Sequence, residues 1–277
     1  MKFTKMQGCG NDYVYVNCFE EQVEDPAALS KRVSDRHFGI GSDGLILIGP
    51  SDKADFSMDM YNADGSRGKM CGNGIRCVGK YVYDNGLTDQ KRITVDTLSG
   101  IKTLDLITEQ GKVSRVRVDM GAPELRPDRI PVLSDLERIV SEPVSVCGRE
   151  WQMTCVSMGN PHCIVPVEDV EGFDIEKYGP AFEWLDLFPE RINTEFIRVD
   201  ARDHVTMRVW ERGSAETFAC GTGACAVAVA CIVNGWTDEE LTVALRGGDL
   251  RITWDRAANR VWMEGPAVTV FEGCMEI

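Results

Sequence analysis

Histidine is scarce, with three in 277 residues, and no Cys-x-x-Cys pair occurs among the eleven cysteines. A structural zinc site therefore has no donor set to draw on, and no metal is expected. No Gly-x-Gly-x-x-Gly follows a strand-like run, no Walker lysine is present, and no lysine marks a pyridoxal phosphate site. No cofactor is expected. Basic residues are in deficit: 30 Lys and Arg stand against 44 Asp and Glu, a net charge of −14. Phosphate binding draws on clustered cations, so a nucleic-acid partner is excluded from the expectation. Long apolar runs are missing too. The longest, residues 224–233, is too short to span a bilayer, and no apolar stretch follows Lys2 and Lys5 as it would in a signal peptide. These absences predict a cytoplasmic protein without a membrane partner. In such a chain the many cysteines read as reduced thiols, not as a disulfide scaffold.

What the chain does contain is a repeat. Met70-Cys71-Gly72-Asn73-Gly74 is echoed by Ala219-Cys220-Gly221-Thr222-Gly223, each after a strand-like run and before a small-residue helix pattern. Gly10-Asn11 and Gly159-Asn160 lie at the same offset of 149 as the two cysteines, so Asn to Cys is 60 residues in both halves. Thr94-Val95 and Gly100 match Thr242-Val243 and Gly248 at 148. An offset kept over so long a stretch points to an internal duplication. The expectation is two domains, 1–119 with a C-terminal strand 268–277, and 120–267, joined through the stiff connection marked by Pro123, Pro127 and Pro131.

Within each half the pattern is mostly strands around one helix. Residues 2–7 and 13–18 read as strands with a turn over 8–12, and 26–36 as a helix with Asp25 as its cap. Residues 74–83 and 220–233 read as helices halted by Asn85-Gly86 and Asn234-Gly235, and 174–178 as a short one. The second of the two repeat helices has no polar face and should be buried on all sides. Cys77, Cys225 and Cys231 fall inside these helices and read as packing. Cys9, Cys18, Cys147, Cys155, Cys163 and Cys274 have strand-like surroundings and read as small core residues.

A cysteine at a helix start sits among unpaired N–H groups and partial positive charge, which stabilise a thiolate. The flanking glycines let backbone approach an anion closely, so the same turn can hold a carboxylate. Two such turns facing one substrate fit one chemistry: a thiolate removes a proton and a thiol returns one from the opposite face, inverting a carbon centre. A thiol redox protein and a non-catalytic binding module remain the alternatives from these residues alone.

The motifs together resemble the diaminopimelate epimerase family. They are Lys5-Met6-x-Gly-x-Gly-Asn11-Asp12, Tyr61-Asn62-Ala63-Asp64-Gly65-Ser66, Met70-Cys71-Gly72-Asn73-Gly74-Ile75-Arg76-Cys77, Ser157-Met158-Gly159-Asn160-Pro161-His162, Trp210-Glu211-Arg212-Gly213 and the stretch around Cys220. The resemblance implies an α/β (α+β) fold of two pseudo-symmetric domains, each with strands wrapped around a central helix and the active site in the cleft between them. It implies a cofactor-independent isomerase interconverting LL- and meso-diaminopimelate in lysine and peptidoglycan precursor synthesis, acting as a homodimer. Carried over by motif, Cys71 and Cys220 are the acid/base pair, and His162 and Glu211 tune them. Gly72-Asn73 and Gly221-Thr222 would bind the reacting carboxylate. Asn11, Asn62, Asn160, Asn193 and the Glu211-Arg212 pair would hold the amino and carboxylate groups. Some members carry a glutamine ligand where this chain has Gly44, so a backbone or water-mediated contact is expected there. Proline racemases and hydroxyproline epimerases typically show a histidine after the first Cys-Gly, where this chain has Asn73.

Overall fold

A computed structural model describes residues 1–276. The chain forms two compact units, one made of Met1–Asp119 and the chain from Glu264 onward, the other of Met120–Met263. The fold is mixed α+β.

In the first unit, β1 (Lys2–Gly8) and β2 (Asn11–Asn17) form a hairpin, α1 (Pro26–Ser34) follows, and β3 (Gly44–Gly49) runs parallel to β2. Next come β4 (Phe56–Asn62), antiparallel to β3, the short β5 (Arg67–Gly68), and the helix α2 (Gly72–Asp84). β6 (Arg92–Thr97) pairs parallel to β4, and β7 (Gly100–Glu109) and β8 (Lys112–Gly121) complete a meander.

The second unit opens with β9 (Glu142–Val146) paired to β10 (Arg149–Ser157) and then repeats the same order. β10 and β11 (Pro161–Pro166) form a hairpin, α3 (Ile175–Glu183) follows, and β12 (Asn193–Ala201) runs parallel to β11. β13 (His204–Glu211) and β14 (Ala215–Thr217) lead into α4 (Gly221–Val233), and β15 (Glu240–Leu245) pairs parallel to β13. β16 (Gly248–Asp255) and β17 (Arg260–Pro266) follow. The last strand, β18 (Val268–Cys274), pairs with β1 of the first unit.

The two long helices are central for a reason visible in their side chains. A Cβ on Gly74 would stand 2.6 Å from Ile46 Cδ1, and one on Gly79 2.9 Å from Leu106 Cδ2, so small residues let the strands close on α2. α4 is buried from Gly223 through Ile232, as its lack of a polar face predicts. Burial pushes the Cys77 thiol up to about 11 and that of Cys231 to about 12, so both stay protonated packing groups.

Several local expectations change. The first turn is only Cys9-Gly10, at φ 53° and 81°, which places Asn11 inside β2. Cys147-Gly148 makes the same two-residue turn, at φ 52° and 74°. Paired positive φ is what twisted hairpins demand, so these cysteines are turn residues and not strand residues. Cys147 and Cys274 are exposed, which removes both from the core, while Cys18 is half-buried and packs against the edge of the first unit's core. α1 stops at Ser34, because the Asp35 carboxylate accepts from the N–H groups of His37 and Phe38 and turns the chain. β5 and β14 are too short to carry a periodic signal, and Pro143 disguises β9, an edge strand. Among the described residues no helix is long and apolar enough to cross a membrane.

α3 runs past its expected end to Glu183 despite Gly179 and Pro180, because tertiary packing overrides propensity. Phe182 is fully buried beside Trp151 and Phe196, and Gly179 lies against the Trp210 ring. A Cβ at 179 would stand 2.5 Å from Trp210 Cγ. Gly179→Ala should therefore lower stability by about 1–3 kcal/mol, the usual range for overpacking. Urea unfolding followed by tryptophan fluorescence measures it, and an unchanged midpoint would show that the ring can yield.

Candidate active site

Each repeat cysteine is the N-cap residue of its helix, with extended backbone dihedrals and a sulfur that accepts from the third residue's N–H. Gly74 N to Cys71 Sγ is 3.3 Å, and Gly223 N to Cys220 Sγ is also 3.3 Å. The two turns are thus the same device built twice. Their surroundings differ.

In the first unit, the Cys71 thiol donates to Asn11 Oδ1 at 3.1 Å, and Asn11 Nδ2 donates to Asp43 Oδ2 at 2.8 Å. Arg36 pairs with both Asp43 and Asp12, and Lys5 pairs with Asp12 at 2.5 Å, so a chain of opposite charges fixes Asn11 from behind. The Tyr13 hydroxyl is a further hydrogen-bond partner of the thiol. Burial raises the Cys71 thiol, opposed by the N–H groups of Gly74 and Asn73, by Tyr13 and by the Arg76 guanidinium. Arg76 is fully buried and donates to the Gly72 carbonyl, Asn73 Oδ1 and the Pro266 carbonyl.

In the second unit, His162 Nδ1 lies 2.7 Å from Glu195 Oε1 and Nε2 lies 3.1 Å from Asn160 Oδ1, with both His162 and Glu195 fully buried. The Thr222 hydroxyl is 3.4 Å from Cys220 Sγ. Glu211 accepts from the Thr217 hydroxyl and also contacts Cys220. Burial pushes the Cys220 thiol well up, and the negative charges of Glu211 and Glu195 push the same way, against Thr222 and the Gly223 N–H. Glu211 itself is raised, first by burial and then by Glu195, with Thr217, His162 and Cys220 opposing. The thiolate expectation drawn from the helix starts is therefore reversed here: burial outweighs the helix terminus at both cysteines.

The duplication also aligns the neighbours. Tyr13 and His162, Gly44 and Asn193, and Asn62 and Glu211 are each 149 residues apart, as the cysteines are. Strand register agrees, with Tyr13 opposite Gly44 and His162 opposite Asn193. One unit thus presents Tyr13 and Asn62 where the other presents the ionisable His162 and Glu211.

The remaining sequence candidates divide. Asn11, Tyr13, Asn73 and Cys71 come together in one unit, and Asn160, His162, Glu211, Thr222 and Cys220 in the other. Asn73 gives its side-chain oxygen to Arg76, which leaves its backbone N–H for the helix start. Asn62 is exposed and donates to the Ser66 hydroxyl. Asn193 ties the Pro161 carbonyl to the Arg212 N–H, at 2.8 and 2.9 Å. Glu211 and Arg212 do not act as a local ion pair: Glu211 turns inward and Arg212 donates to the Glu190 carbonyl. Gly44 leaves no room for a side chain, since a Cβ would collide with the Tyr61 carbonyl. Asp43, Tyr13 and Glu195 were not among the sequence candidates. Glu195 carried no signal of its own, since its strand also contains Asn193, Thr194, Arg198 and Asp200. His162, Glu195 and Cys220 offer one donor atom each, all within 4.8 Å of one another. Both imidazole nitrogens already face oxygen partners, so a cation would have to displace a proton from that pair.

A family model described as diaminopimelate epimerase matches residues 3–126 and 154–270. The diaminopimelate epimerase of Agathobacter rectalis is 62% identical over 284 residues, with 100% of both chains covered. That of Acetivibrio thermocellus is 58% identical over 277 residues, covering 100% of this chain and 99% of the relative. Among solved structures, a PhzF-family phenazine biosynthesis protein from Bacillus anthracis superposes with a TM-score of 0.72 at 18% identity, covering 99% of both chains. A hydroxyproline epimerase from Agrobacterium vitis gives 0.69 at 12%, covering 99% of this chain and 90% of that one. At these identities the likeness is one of fold.

The raised Glu211 carboxyl has a consequence for stability. Its contribution is full below the unfolded carboxylate range, near about 4.3, and is lost as pH rises through the higher folded value. Glu211→Gln carries no such ionisation. Urea midpoints should therefore show the variant gaining on the wild type as pH rises from about 4 to about 8. Parallel pH dependences would mean that Glu211 does not hold a strained charge.

Proposed function

The chain belongs to the diaminopimelate epimerase family, and we propose that it epimerises diaminopimelate with Cys71 and Cys220 as the proton-transferring pair. The observation that carries this reading is the twin placement of the two thiols, each capping a buried helix start at the same position of a duplicated fold. The reaction needs one sulfur on either face of the substrate's α-carbon, and two homologous epimerase-like domains, one per unit, supply one each.

The unlike surroundings assign the roles for one direction. Cys71 is held as a thiol by Asn11 Oδ1 and serves as proton donor. Cys220 stands beside Glu211, which takes the thiol proton and leaves the thiolate to abstract the α-proton. In the reverse direction the roles exchange. The backbone N–H groups over Gly72-Asn73 and Gly221-Thr222 stabilise the carboxylate and the carbanion-like transition state. Asn11, Asn62, Asn160 and Arg212 hold the polar groups of the substrate, with Asn193 fixing the backbone at Arg212. No cofactor or metal takes part in this scheme. The protein works in the cytoplasm as a homodimer, to which the exposed Val268, Val270 and Phe271 of β18 offer apolar surface.

The test is incubation of the reduced protein with LL-diaminopimelate in D₂O, followed by NMR. Loss of the α-proton signal with appearance of the meso isomer is expected. Cys71→Ala and Cys220→Ala should each cost about 10²–10⁴-fold or more in rate. Exchange with proline or hydroxyproline but not diaminopimelate would move the substrate assignment. Full activity in either cysteine variant would remove the two-thiol mechanism.

A further inference from the structure

The duplication supplies an internal control for Glu195. Its counterpart, 149 residues earlier, is Ile46. Both side chains pack under the start of the repeat helix in the same way. A Cβ on Gly74 would stand 2.6 Å from Ile46 Cδ1, and a Cβ on Gly223 would stand 2.5 Å from Glu195 Oε1. An apolar group therefore fills this position in one unit, and the fold itself does not call for a carboxylate in the other. Burying a charge there is costly unless it is paired and hydrogen-bonded, and the partner of Glu195 is His162.

The same comparison shows what is missing in the second unit. Asn11 is anchored by Asp43, whose counterpart at the repeat offset is Ile192. Among the described residues no carboxylate is hydrogen-bonded to the Asn160 side chain. It is held instead by His162 Nε2, and His162 is held by Glu195. The imidazole is thus held at both nitrogens, Nδ1 against Glu195 Oε1 at 2.7 Å and Nε2 against Asn160 Oδ1 at 3.1 Å. Glu195 Oε2 is buried and has no hydrogen-bond partner. Only the oxygen facing His162 is engaged.

We propose that Glu195 is a positioning residue that acts through His162, fixing the imidazole and through it Asn160, as Asp43 fixes Asn11 in the other unit. Glu195 does not touch the reacting atoms. It sets the orientation of the imidazole beside the reacting thiol, and it adds negative charge beside Cys220. The groups facing that thiol are Glu211 from β13, Glu195 from β12, His162 from β11 and Thr222 from its own helix. The proposal deepens the epimerase reading, and only its kinetic arm rests on that reading.

Two variants separate charge from packing. Glu195→Gln keeps the shape, and Glu195→Ile installs the residue that the fold accepts at the equivalent place. Both should remain folded, with urea midpoints at or above that of the wild type. Iodoacetamide alkylation, resolved by peptide mass spectrometry across pH, should show the Cys220 profile moving to lower pH in both variants while the Cys71 profile stays in place. Epimerisation of diaminopimelate should fall about a hundredfold in kcat/KM, the scale of a misplaced catalytic group, with an altered pH profile. Unchanged Cys220 alkylation and turnover in Glu195→Gln would overturn the proposal. Recovery of wild-type rate and pH profile in Glu195→Ile would also overturn it, by making Glu195 a packing residue. A wild type that fails to epimerise would sink the epimerase reading, while the alkylation arm would still decide for or against Glu195.

Discussion

A helix that starts inside a core must find partners for its first N–H groups without water. In both units that partner is a sulfur atom. Serine or aspartate would cap more strongly, but a thiol tolerates burial and still gives the turn a removable proton. The flanking glycines follow from the same requirement, because Gly74 and Gly223 lie where any Cβ would meet Ile46 or Glu195. The small-residue helices and the strands that close on them bury this cap at Cys220 and half-bury it at Cys71, and the lost solvent raises both thiols above their ordinary range. Protons then leave the sulfurs only when a neighbour or a substrate makes the charge acceptable.

Duplication provides two equal scaffolds, and divergence at a handful of positions makes them unequal. Tyr13 against His162, Asn62 against Glu211 and Ile46 against Glu195 replace a neutral side chain by an ionisable one at matching sites. All three changes fall in the second unit. The first unit answers with a buried cation, Arg76, whose counterpart in the repeat is Cys225. The two thiols therefore sit in unlike electrostatic surroundings, carboxylates beside Cys220 and a guanidinium beside Cys71.

Much of this was legible in the chain. The 149-residue offset located both caps, and the flat apolar run after Cys220 announced a helix with no exposed face. The relatives and the structure agree with the family, the mixed fold and the epimerase activity read from the motifs. What escaped was set by long-range packing. Glu195 looks like any charged residue until β12 carries it under a helix start. Asp43 gains its role only by reaching back across 32 residues to Asn11. The ionisation of the thiols was misread because a helix terminus is a local feature, whereas desolvation depends on everything packed around it.

The pairing of β1 with β18 has a consequence for how the protein is made. Lys2 lies opposite Cys274, so β1 waits for a strand made much later in synthesis before that edge is covered. Residues 120–263 meet no such delay, since their strands and their central helix are contiguous in the chain. Synthesis therefore favours an order in which the later unit settles while the earlier one still carries an open strand edge. That interval is when the nascent chain most needs protection from pairing with its neighbours.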